Sequence, residues 1–569
     1  MTQLTPDVTV QRQLGGARRA AGDETSAGAP GLWLALLLGL ALKTLILATG
    51  SVTFDSDEAI VALMARHITQ GARPIFFYGQ HYMGALDAYL ISLAFLLLGQ
   101  SVLVVRLVQL VLFMGVVGTT YALSSRLSQN RLAATAAALL VALPPVMVGV
   151  YTTATLGDYV EILLLGNLLL LAGWRMAESP DGGPFWLWGV WGFLAGLGWW
   201  SMSLVVVTAV PAAIYILRQH RSHLPWGRIL VAALGAALGA APWLAAAFHV
   251  GLAATLGAVS GGGPGEVLAR LFAEWPTRVV SLFTFGLPAL LGLRPPWNLD
   301  WIALPLGIPL AMVYLAALWA ALRQPIDPPT RARRLTLAAS WWLLALVMLG
   351  PLGFDPSGRY LLPLYPLLVT LLADWLIRLP RLRRLSLALV GVLLAYNLWG
   401  TLRAVRDNPP GLSAQFNPIA AIPEDHNGEL LAFLDEIGVH SAYTHYWVAY
   451  RFAFLTGEQV CFSPRLPFHS DLRYSPRDDR IPAYTQAVDA SPEVIYVTAN
   501  HPLLDSVLVR EFDALDVTYR QRQIGPYRVF YDLSRPVRPA ELDVYSEITA
   551  AAPLTPFPAN LSAFANCGG

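Results

Sequence analysis

The chain has 569 residues, of which 55% are hydrophobic and 13% are charged, and its mean hydropathy is +0.52. Soluble domains carry about 25% charged residues, so this composition excludes an ordinary soluble protein and indicates many bilayer-spanning helices of roughly 20 residues each. A net charge of +1 gives a nucleic-acid partner no electrostatic support. Two cysteines are too few for a disulfide framework or a thiolate metal site.

The first 30 residues are polar and contain three arginines, Arg12, Arg18 and Arg19, ahead of the first apolar run. Positive residues beside a span mark its cytoplasmic side, so residues 1–30 are predicted to be a disordered cytoplasmic segment. The apolar run is long and lacks a clear small-residue cleavage site. We interpret it as a retained first span rather than a signal peptide.

Between residues 31 and 402, apolar runs alternate with arginine-rich turns, and this pattern predicts about eleven transmembrane helices. Two long segments, 51–102 and 249–300, are predicted to lie on the outer side. The apolar stretch 83–98 is long enough to be read either as a further span or as a helix at the membrane interface. A crossing would place Arg126 and Arg131 outside, which favours the interfacial helix.

The composition becomes more polar and acidic after residue 402, and Asn408-Pro409-Pro410-Gly411 is typical of a linker. Residues 403–550 are predicted to form a small extracytoplasmic α/β domain, followed by a disordered tail at 551–569. The predicted elements of this domain are a helix at 429–437, strands at 439–446 and 494–497, and a hairpin at 517–522 and 527–532. The predicted fold is therefore an all-α polytopic membrane domain with an α/β domain outside the membrane.

Three carboxylates, Asp55, Asp57 and Glu58, form the densest acidic cluster of the membrane part and follow directly after the first span. Residues 57–71 have helical periodicity, and Asp55 or Ser56 can cap that helix. The helix dipole favours anions at this end. The cluster is either a catalytic group or a solvated helix cap.

Five more outer-side residues are candidates for substrate binding. Asp158 and Glu161 stand three residues apart at the start of the fourth span, either as ligands or as an interfacial cap. Arg359 is predicted to lie on the outer side, although arginines near spans favour the cytoplasmic side. This position suggests phosphate binding; the alternative is an ion pair with Asp355. His81 and Tyr82 follow an aromatic run and either line a sugar site or anchor the chain at the interface.

The motif Phe54-Asp55-Ser56-Asp57-Glu58-Ala59 resembles the acidic first-loop motif of the GT-C membrane glycosyltransferases. Further matches are Tyr78-Gly79-Gln80-His81-Tyr82 and the late segment Arg359-Tyr360-Leu361-Leu362-Pro363. The resemblance covers residues 30–400 and is greatest to the branch that contains protein O-mannosyltransferases and aminoarabinose transferases. The chain departs from that branch near His81, where a lysine is missing, and it has no WWD motif of the oligosaccharyltransferases.

The resemblance implies an inverting transferase that uses a polyisoprenyl-phosphate sugar and an acceptor hydroxyl of a lipid, glycan or protein, at the extracytoplasmic face of a bacterial plasma membrane. It implies that Asp57 is the base, with Glu58 as its partner and Asp55 as an alternative base. It also matches Asp158 to an acidic residue of the second outer loop. We predict that Tyr360, next to Arg359 in the matching late segment, binds substrate together with that arginine. A divalent metal stays open, and no nucleotide site is expected because the chain has no phosphate-binding glycine loop.

Two other functions remain open on the sequence. A transporter or lipid flippase would place charged or broken helices near the bilayer midplane. A non-catalytic cell-envelope assembly protein would use the membrane part only to present the outer domain.

Overall fold

The computed structural model describes residues 30–252, 254–256, 264–303, 305–323, 327–348, 355–379, 383–408 and 411–542. The segments predicted to be disordered, 1–30 and 551–569, lie outside these residues except for Pro30. The described part is mostly helical, and its N-terminal three quarters are followed by a small mixed sheet.

The helices of the first part are α1 (Pro30–Ala48), α2 (Ser56–Thr69), α3 (Leu86–Leu98), α4 (Val102–Ser128), α5 (Arg131–Ala142), α6 (Val146–Tyr151), α7 (Tyr159–Glu178), α8 (Phe185–Ser201), α9 (Val206–Gln219), α10 (Trp226–Gly239), α11 (Ala241–Val250), α12 (Pro264–Ser281), α13 (Leu287–Leu290), α14 (Gly307–Arg323), α15 (Pro328–Met348), α16 (Tyr365–Ile377) and α17 (Arg383–Asp407). A two-stranded ribbon, β1 (Phe76–Phe77) and β2 (Gln80–Gly84), lies between α2 and α3. A 3₁₀ turn, Arg359–Leu364, leads into α16.

Five helical segments of the described chain are long and apolar enough to cross a membrane: Pro30–Ala48, Val102–Ser128, Tyr159–Glu178, Arg359–Ile377 and Arg383–Asp407. A sixth is the pair α10 and α11, which bends by 70° at the junction before Pro242. The other predicted spans coincide with helices of 10–17 residues or with helices that carry several charges. By length and composition the described residues therefore do not confirm eleven spans.

Helix α3 occupies the stretch whose position relative to the membrane was ambiguous. It has 13 residues and, at 1.5 Å per residue, is shorter than the roughly 30 Å hydrocarbon core. Leu93, Leu96, Leu97 and Leu98 are exposed, whereas Asp87 at its start is buried. This geometry favours a helix at the interface over a membrane crossing.

The only lysine of the chain connects α1 to the segment after α6. Lys43 Nζ donates to the Gly149 carbonyl at 2.9 Å and to the hydroxyls of Thr152 and Thr153 at 2.7 and 2.6 Å. A buried ammonium is costly unless all of its donors are used. These three hydrogen bonds satisfy Lys43 and hold the end of α6, where Tyr151 lies.

The C-terminal elements are α18 (Asn427–Ile437), β3 (Ser441–His445), α19 (Tyr446–Leu455), β4 (Cys461–Leu466), α20 (Pro482–Ala490), β5 (Ile495–Ala499), α21 (Pro502–Ala514), β6 (Arg520–Ile524) and β7 (Tyr527–Tyr531). The strand order is β4-β3-β5-β7-β6. Strand β3 runs parallel to β4 and β5, and β7 runs antiparallel to β5 and β6. Helix α19 follows β3 directly and packs against α2, which brings this sheet unit onto the first-loop carboxylates.

Candidate active site

Helix α2 begins at the acidic cluster because Asp55 caps it. Asp55 has an extended backbone, with φ −102° and ψ 178°, and its Oδ1 accepts a 3.1 Å hydrogen bond from the Glu58 amide. Ser56, the other predicted cap, instead donates its hydroxyl to the Tyr446 carbonyl at 2.6 Å. The predicted cap at Asp55 is confirmed, and the serine connects the helix to the C-terminal sheet unit.

Asp57 is the one carboxylate of this cluster that is partly exposed. Its Oδ1 accepts a 2.5 Å hydrogen bond from the Tyr446 hydroxyl, and its Oδ2 accepts a 3.2 Å hydrogen bond from Gln415 Nε2. Burial raises the pKa of Tyr446 well above its ordinary value, and the charge of Asp57 raises it further. The phenol therefore remains a proton donor and fixes the orientation of the carboxylate.

Asp55 shares the Gln415 side chain with Asp57 but is buried. Gln415 Nε2 lies 3.4 Å from Asp55 Oδ2. Burial raises the pKa of Asp55 to about 7, and the negative charge of Asp57 adds to the rise, whereas the Glu58 amide opposes it. Near neutral pH Asp55 is therefore only partly ionised.

Glu58 is turned away from the other two carboxylates and is fully buried. It forms a bidentate ion pair with Arg106 of α4, with Nε–Oε1 at 3.1 Å and Nη2–Oε2 at 2.9 Å. Burial raises the pKa of Glu58, and the charge and hydrogen bonds of Arg106 oppose that rise. This pair joins α2 to α4 and leaves Glu58 no free oxygen for a reacting group.

Arg359 lies in a wall of tyrosines formed by Tyr82, Tyr151, Tyr159 and Tyr360. It pairs with Asp355 at 2.7 Å, as one of the two alternatives predicted, and its guanidinium carbon is 5.1 Å from the Tyr360 ring centroid. Burial raises the pKa of Tyr151, the charge of Arg359 lowers it, and the charge of Asp57 raises it. Tyr151 therefore lies within electrostatic reach of both the arginine and the carboxylate.

Tyr82 and His81 approach the same wall from β2. Burial raises the pKa of Tyr82, and the positive charges of Arg359 and Arg480 both lower it. His81 is partly buried, its ring centroid is 6.0 Å from that of Phe76, and burial lowers its pKa. The structure thus brings Tyr82, Tyr360 and Arg359 together, with His81 at the edge of the group.

The loop before α20 adds two charged side chains that the sequence did not single out. Arg480 donates to the Gly79 carbonyl at 3.0 Å, and its guanidinium carbon is 5.7 Å from the Tyr446 ring centroid. Burial raises the pKa of Asp478 to about 7, the charge of Arg480 lowers it and the charge of Asp57 raises it. Asp478 is therefore a second carboxylate within electrostatic reach of Asp57.

The far end of α2 is also bound to the sheet unit. Glu458, at a left-handed backbone position with φ 65°, accepts hydrogen bonds from His67 Nε2 at 2.8 Å and from the Tyr484 hydroxyl at 2.6 Å. Arg66 pairs with the same carboxylate at 3.4 Å. The helix that carries Asp57 is thus attached at both ends to residues beyond 402.

Asp158 and Glu161 form a separate buried cluster with Asp87 of α3. Asp158 does not cap α7; its two oxygens accept hydrogen bonds from the Asp87 amide at 2.9 Å and the Ser201 hydroxyl at 2.7 Å. Among the described residues, these three carboxylates are the group of metal-binding type whose ligand atoms lie within 4.8 Å of one another.

The residues that sequence reasoning missed are Gln415, Tyr446, Asp478 and Arg480 on the C-terminal side, and Arg106 and Asp87 within the membrane part. The four C-terminal residues had no signal, because their contacts with the first loop span several hundred positions.

No protein-family model matches the chain, and no curated protein matches it by sequence. Solved structures do match. The crystal structure of ArnT from Cupriavidus metallidurans bound to undecaprenyl phosphate superposes with a TM-score of 0.54 at 14% identity, over 89% of this chain and 99% of that chain. Its apo form gives a TM-score of 0.55 at 14% identity, over 89% and 98% of the two chains.

An archaeal oligosaccharyltransferase, AglB from Archaeoglobus fulgidus, matches with a TM-score of 0.47 at 14% identity, over 82% of this chain and 69% of that chain. At such low identity a structural match establishes the fold and leaves the reaction open. The two ArnT structures show that the chain shares the fold of ArnT, which agrees at the level of the fold with the resemblance seen in the first-loop motif.

Proposed function

We propose that the protein transfers a sugar from a polyisoprenyl-phosphate donor to an acceptor hydroxyl, with inversion at the anomeric carbon. The observation that carries this proposal is Asp57, a partly exposed carboxylate oriented by Tyr446 and Gln415 at the N-terminus of α2. The GT-C fold supports it, and the ArnT structure that shares the fold binds undecaprenyl phosphate.

Asp57 serves as the general base in this mechanism. It takes the proton of the acceptor hydroxyl while the hydroxyl oxygen forms a bond to C1 of the sugar. The bond between C1 and the phosphate oxygen breaks at the same time, and the polyprenyl phosphate leaves with the electron pair. Attack from the face opposite the leaving phosphate inverts the anomeric carbon.

Accessibility favours Asp57 over Asp55 as the base. Asp55 is buried and its Oδ1 is used by the helix cap, so an acceptor cannot reach it without undoing the first turn of α2. A general base must first be within hydrogen-bond reach of the proton, and its pKa matters after that. Asp55 then acts on Asp57 through their shared Gln415 and through charge.

Arg359 stabilises the leaving phosphate in the same mechanism. It retains partial exposure, at 31% of its side chain, and lies beside Tyr360 and Tyr82 at the start of an apolar helix that can reach the lipid. A guanidinium and phenolic hydroxyls aimed at a developing phosphate charge lower the barrier of the transfer. The donor's lipid then lies along the membrane helices, and the acceptor approaches from the side of the sheet unit.

The chain is a multi-pass membrane protein, and we propose the orientation predicted from its arginines. The N-terminus is cytoplasmic, about eleven segments cross the bacterial plasma membrane within 31–402, and the domain at 403–550 lies outside. The shorter apolar helices, such as α5 and α14, complete this count as spans shortened or broken inside the bundle. Cysteine labelling at position 430 from the outside only is the expected result, and labelling from the inside only contradicts the orientation.

A transporter or flippase is less favoured because the candidate acids cluster at the membrane face that we predict to be the outer one. The decisive experiment compares the cell-envelope glycans of a deletion strain complemented with the wild-type chain or with Asp57→Asn. The wild-type chain should restore a missing sugar and Asp57→Asn should not. Restoration by both, together with lipid or solute movement in vesicles containing the purified protein, would instead support transport.

A further inference from the structure

A cluster of three carboxylates, whose hydrogen bonds do not include Asp57, lies where the starts of α3 and α7 meet. Asp87, Asp158 and Glu161 are exposed by 2%, 1% and 3%, and each offers a ligand oxygen within 4.8 Å of the others. Such a spacing fits one ion, because oxygens bound at 2.0–2.6 Å around a common cation are about 3–5 Å apart.

The oxygens of this cluster lack the partners that buried carboxylates need. Both oxygens of Glu161 and Oδ2 of Asp87 have no hydrogen-bond donor of ordinary geometry among the described residues. Asp87 Oδ1 accepts from Gln109 at 2.8 Å, and Asp158 accepts from Ser201 and the Asp87 amide. Three carboxylate oxygens of the cluster are therefore buried without a hydrogen-bond partner among the described residues.

The cluster also has no cationic side chain to balance it. Within the described part of the chain, none of the three residues forms an ion pair, and Arg106 is held by both oxygens of Glu58. Burying unpaired carboxylates is costly, and proteins compensate with a cation or with protons. The choice between these two decides what the cluster does.

We propose that Asp87, Asp158 and Glu161 bind one hard divalent cation of the Mg²⁺, Mn²⁺ or Ca²⁺ class. The donor set is all oxygen, without the histidine or cysteine that Zn²⁺ prefers. Three carboxylates carry up to three negative charges, which one divalent ion largely neutralises. The unpartnered oxygens, Asp87 Oδ2 and both oxygens of Glu161, are the proposed ligand atoms that accept no other hydrogen bond among the described residues.

The ion has a positioning role, because none of its ligands is part of the Asp57 and Arg359 group. Asp87 is the second residue of α3 and comes three residues after the end of β2, which carries Tyr82. Asp158 immediately precedes α7, and Glu161 lies in its first turn. The Ser201 hydroxyl on Asp158 adds the end of α8. Binding would fix these helix ends against one another and so set the position of β2. This inference does not depend on the transfer reaction.

Metal binding by the purified full-length protein in detergent tests the proposal. The protein is stripped with EDTA and titrated with MnCl₂, and bound manganese is measured by electron paramagnetic resonance and by elemental analysis after gel filtration. We expect one Mn²⁺ per chain, competition by Mg²⁺ or Ca²⁺, and a higher Tm on binding. Glu161→Gln and Asp87→Asn should each weaken binding by at least about tenfold, since even substitutions around the ligands commonly cost 10–100-fold.

Two controls separate this site from its alternatives. Asp57→Asn should bind Mn²⁺ like the wild type; if it loses the ion while Glu161→Gln keeps it, the ion belongs to the first loop and the proposal is wrong. In EDTA, Glu161→Gln should be at least as stable as the wild type, because removing a charge from an empty acidic cluster relieves repulsion. With Mn²⁺ present, the wild type should become the more stable of the two proteins. This change in the order of stability distinguishes lost binding from misfolding. Failure of the stripped wild type to bind Mn²⁺ also overturns the proposal and assigns the compensation to protons shared between the carboxyls.

Discussion

The Tyr446 hydroxyl donates a 2.5 Å hydrogen bond to Asp57 across a separation of 389 positions in the chain. The same residue accepts the Ser56 hydroxyl through its carbonyl oxygen at 2.6 Å. One residue of the sheet unit thus contacts two consecutive positions of the first loop. The candidate base and the group that orients it come from opposite ends of the protein.

Asp57→Asn keeps the size and shape of the side chain but removes its ability to accept a proton. We expect a folded, membrane-inserted protein whose transfer rate falls by at least about 10²-fold, because a positioned general base contributes 10²–10⁴-fold. Asp55→Asn should lower the rate less, since Asn also caps helices well. Turnover by purified variants in detergent is the measurement, and the exposed Asp513→Asn is the matched control. Loss of turnover in Asp55→Asn with a near wild-type Asp57→Asn would move the base to Asp55.

Tyr446→Phe removes the donor to Asp57 and leaves the ring in place. Hydrogen bonds to charged groups contribute about 1.5–3 kcal/mol, so we expect kcat to fall by roughly 10–100-fold while the thermal stability changes little. Tyr443→Phe is the control, because that hydroxyl donates to Asp489 at 2.6 Å within the same sheet unit, away from Asp57. Equal effects of the two substitutions would show that the change acts through domain stability.

Arg359→Ala should weaken the use of the lipid donor more than the use of the acceptor. Loss of a charge-assisted contact to phosphate costs on the order of 1.5–3 kcal/mol, and Arg359→Lys should restore only part of it because lysine lacks the planar fork. The ion pair with Asp355 requires its own control. If Asp355→Asn raises the donor KM as much as Arg359→Ala does, the arginine acts by holding the loop rather than the phosphate.

Glu58→Gln should reduce stability before it reduces catalysis. It leaves Arg106 buried without a counter-charge, and breaking a buried pair in this way costs about 3–5 kcal/mol. We expect a clear drop in Tm, measured by fluorescence in detergent, with the surviving folded protein still active. The double variant Glu58→Gln/Arg106→Gln should recover part of the loss. A stable but inactive Glu58→Gln protein would assign this carboxylate to the reaction.

The raised pKa of Asp55 predicts a specific pH dependence of stability. Between the unfolded value near 3.8 and the folded value of about 7, the folded protein binds more protons, so this group's contribution falls as the pH rises. Asp55→Asn removes the titration but keeps the cap. The Tm of Asp55→Asn minus that of the wild type should therefore grow from pH 5 to pH 8. A difference independent of pH would mean that Asp55 titrates normally.

The local part of the architecture could be predicted, because caps and periodicity act over a few residues. Asp55 caps α2 as expected, the predicted helix at 429–437 is α18, and the predicted hairpin is β6 and β7. The number of spans could not be read from hydropathy, since helices inside a bundle are covered by other helices and need not each present about 20 apolar residues.

The candidate site itself was only half predictable. Asp57, Tyr82, Arg359 and Tyr360 were identified, but their partners were not, because hydropathy and motif spacing contain no information about which sheet residue meets which loop. Glu58 is a residue for which the sequence suggested a role that its contacts do not support. It is adjacent to Asp57 in sequence, which suggested a shared role, yet its side chain pairs with Arg106. The spacing of acidic residues in the sequence could not show that Asp57 and Glu58 contact different partners.

The double attachment of α2 also has a consequence for biosynthesis. Asp57 and the first helices are synthesised long before Tyr446 and Glu458. During most of translation, α2 therefore lacks these two hydrogen-bond partners. A chain that stops before residue 446 contains the proposed base, Gln415 and Arg359, but it lacks the Tyr446 hydroxyl that binds Asp57 Oδ1. If Asp57 is the base as proposed, we expect the nascent protein to gain full activity only after its last quarter has folded.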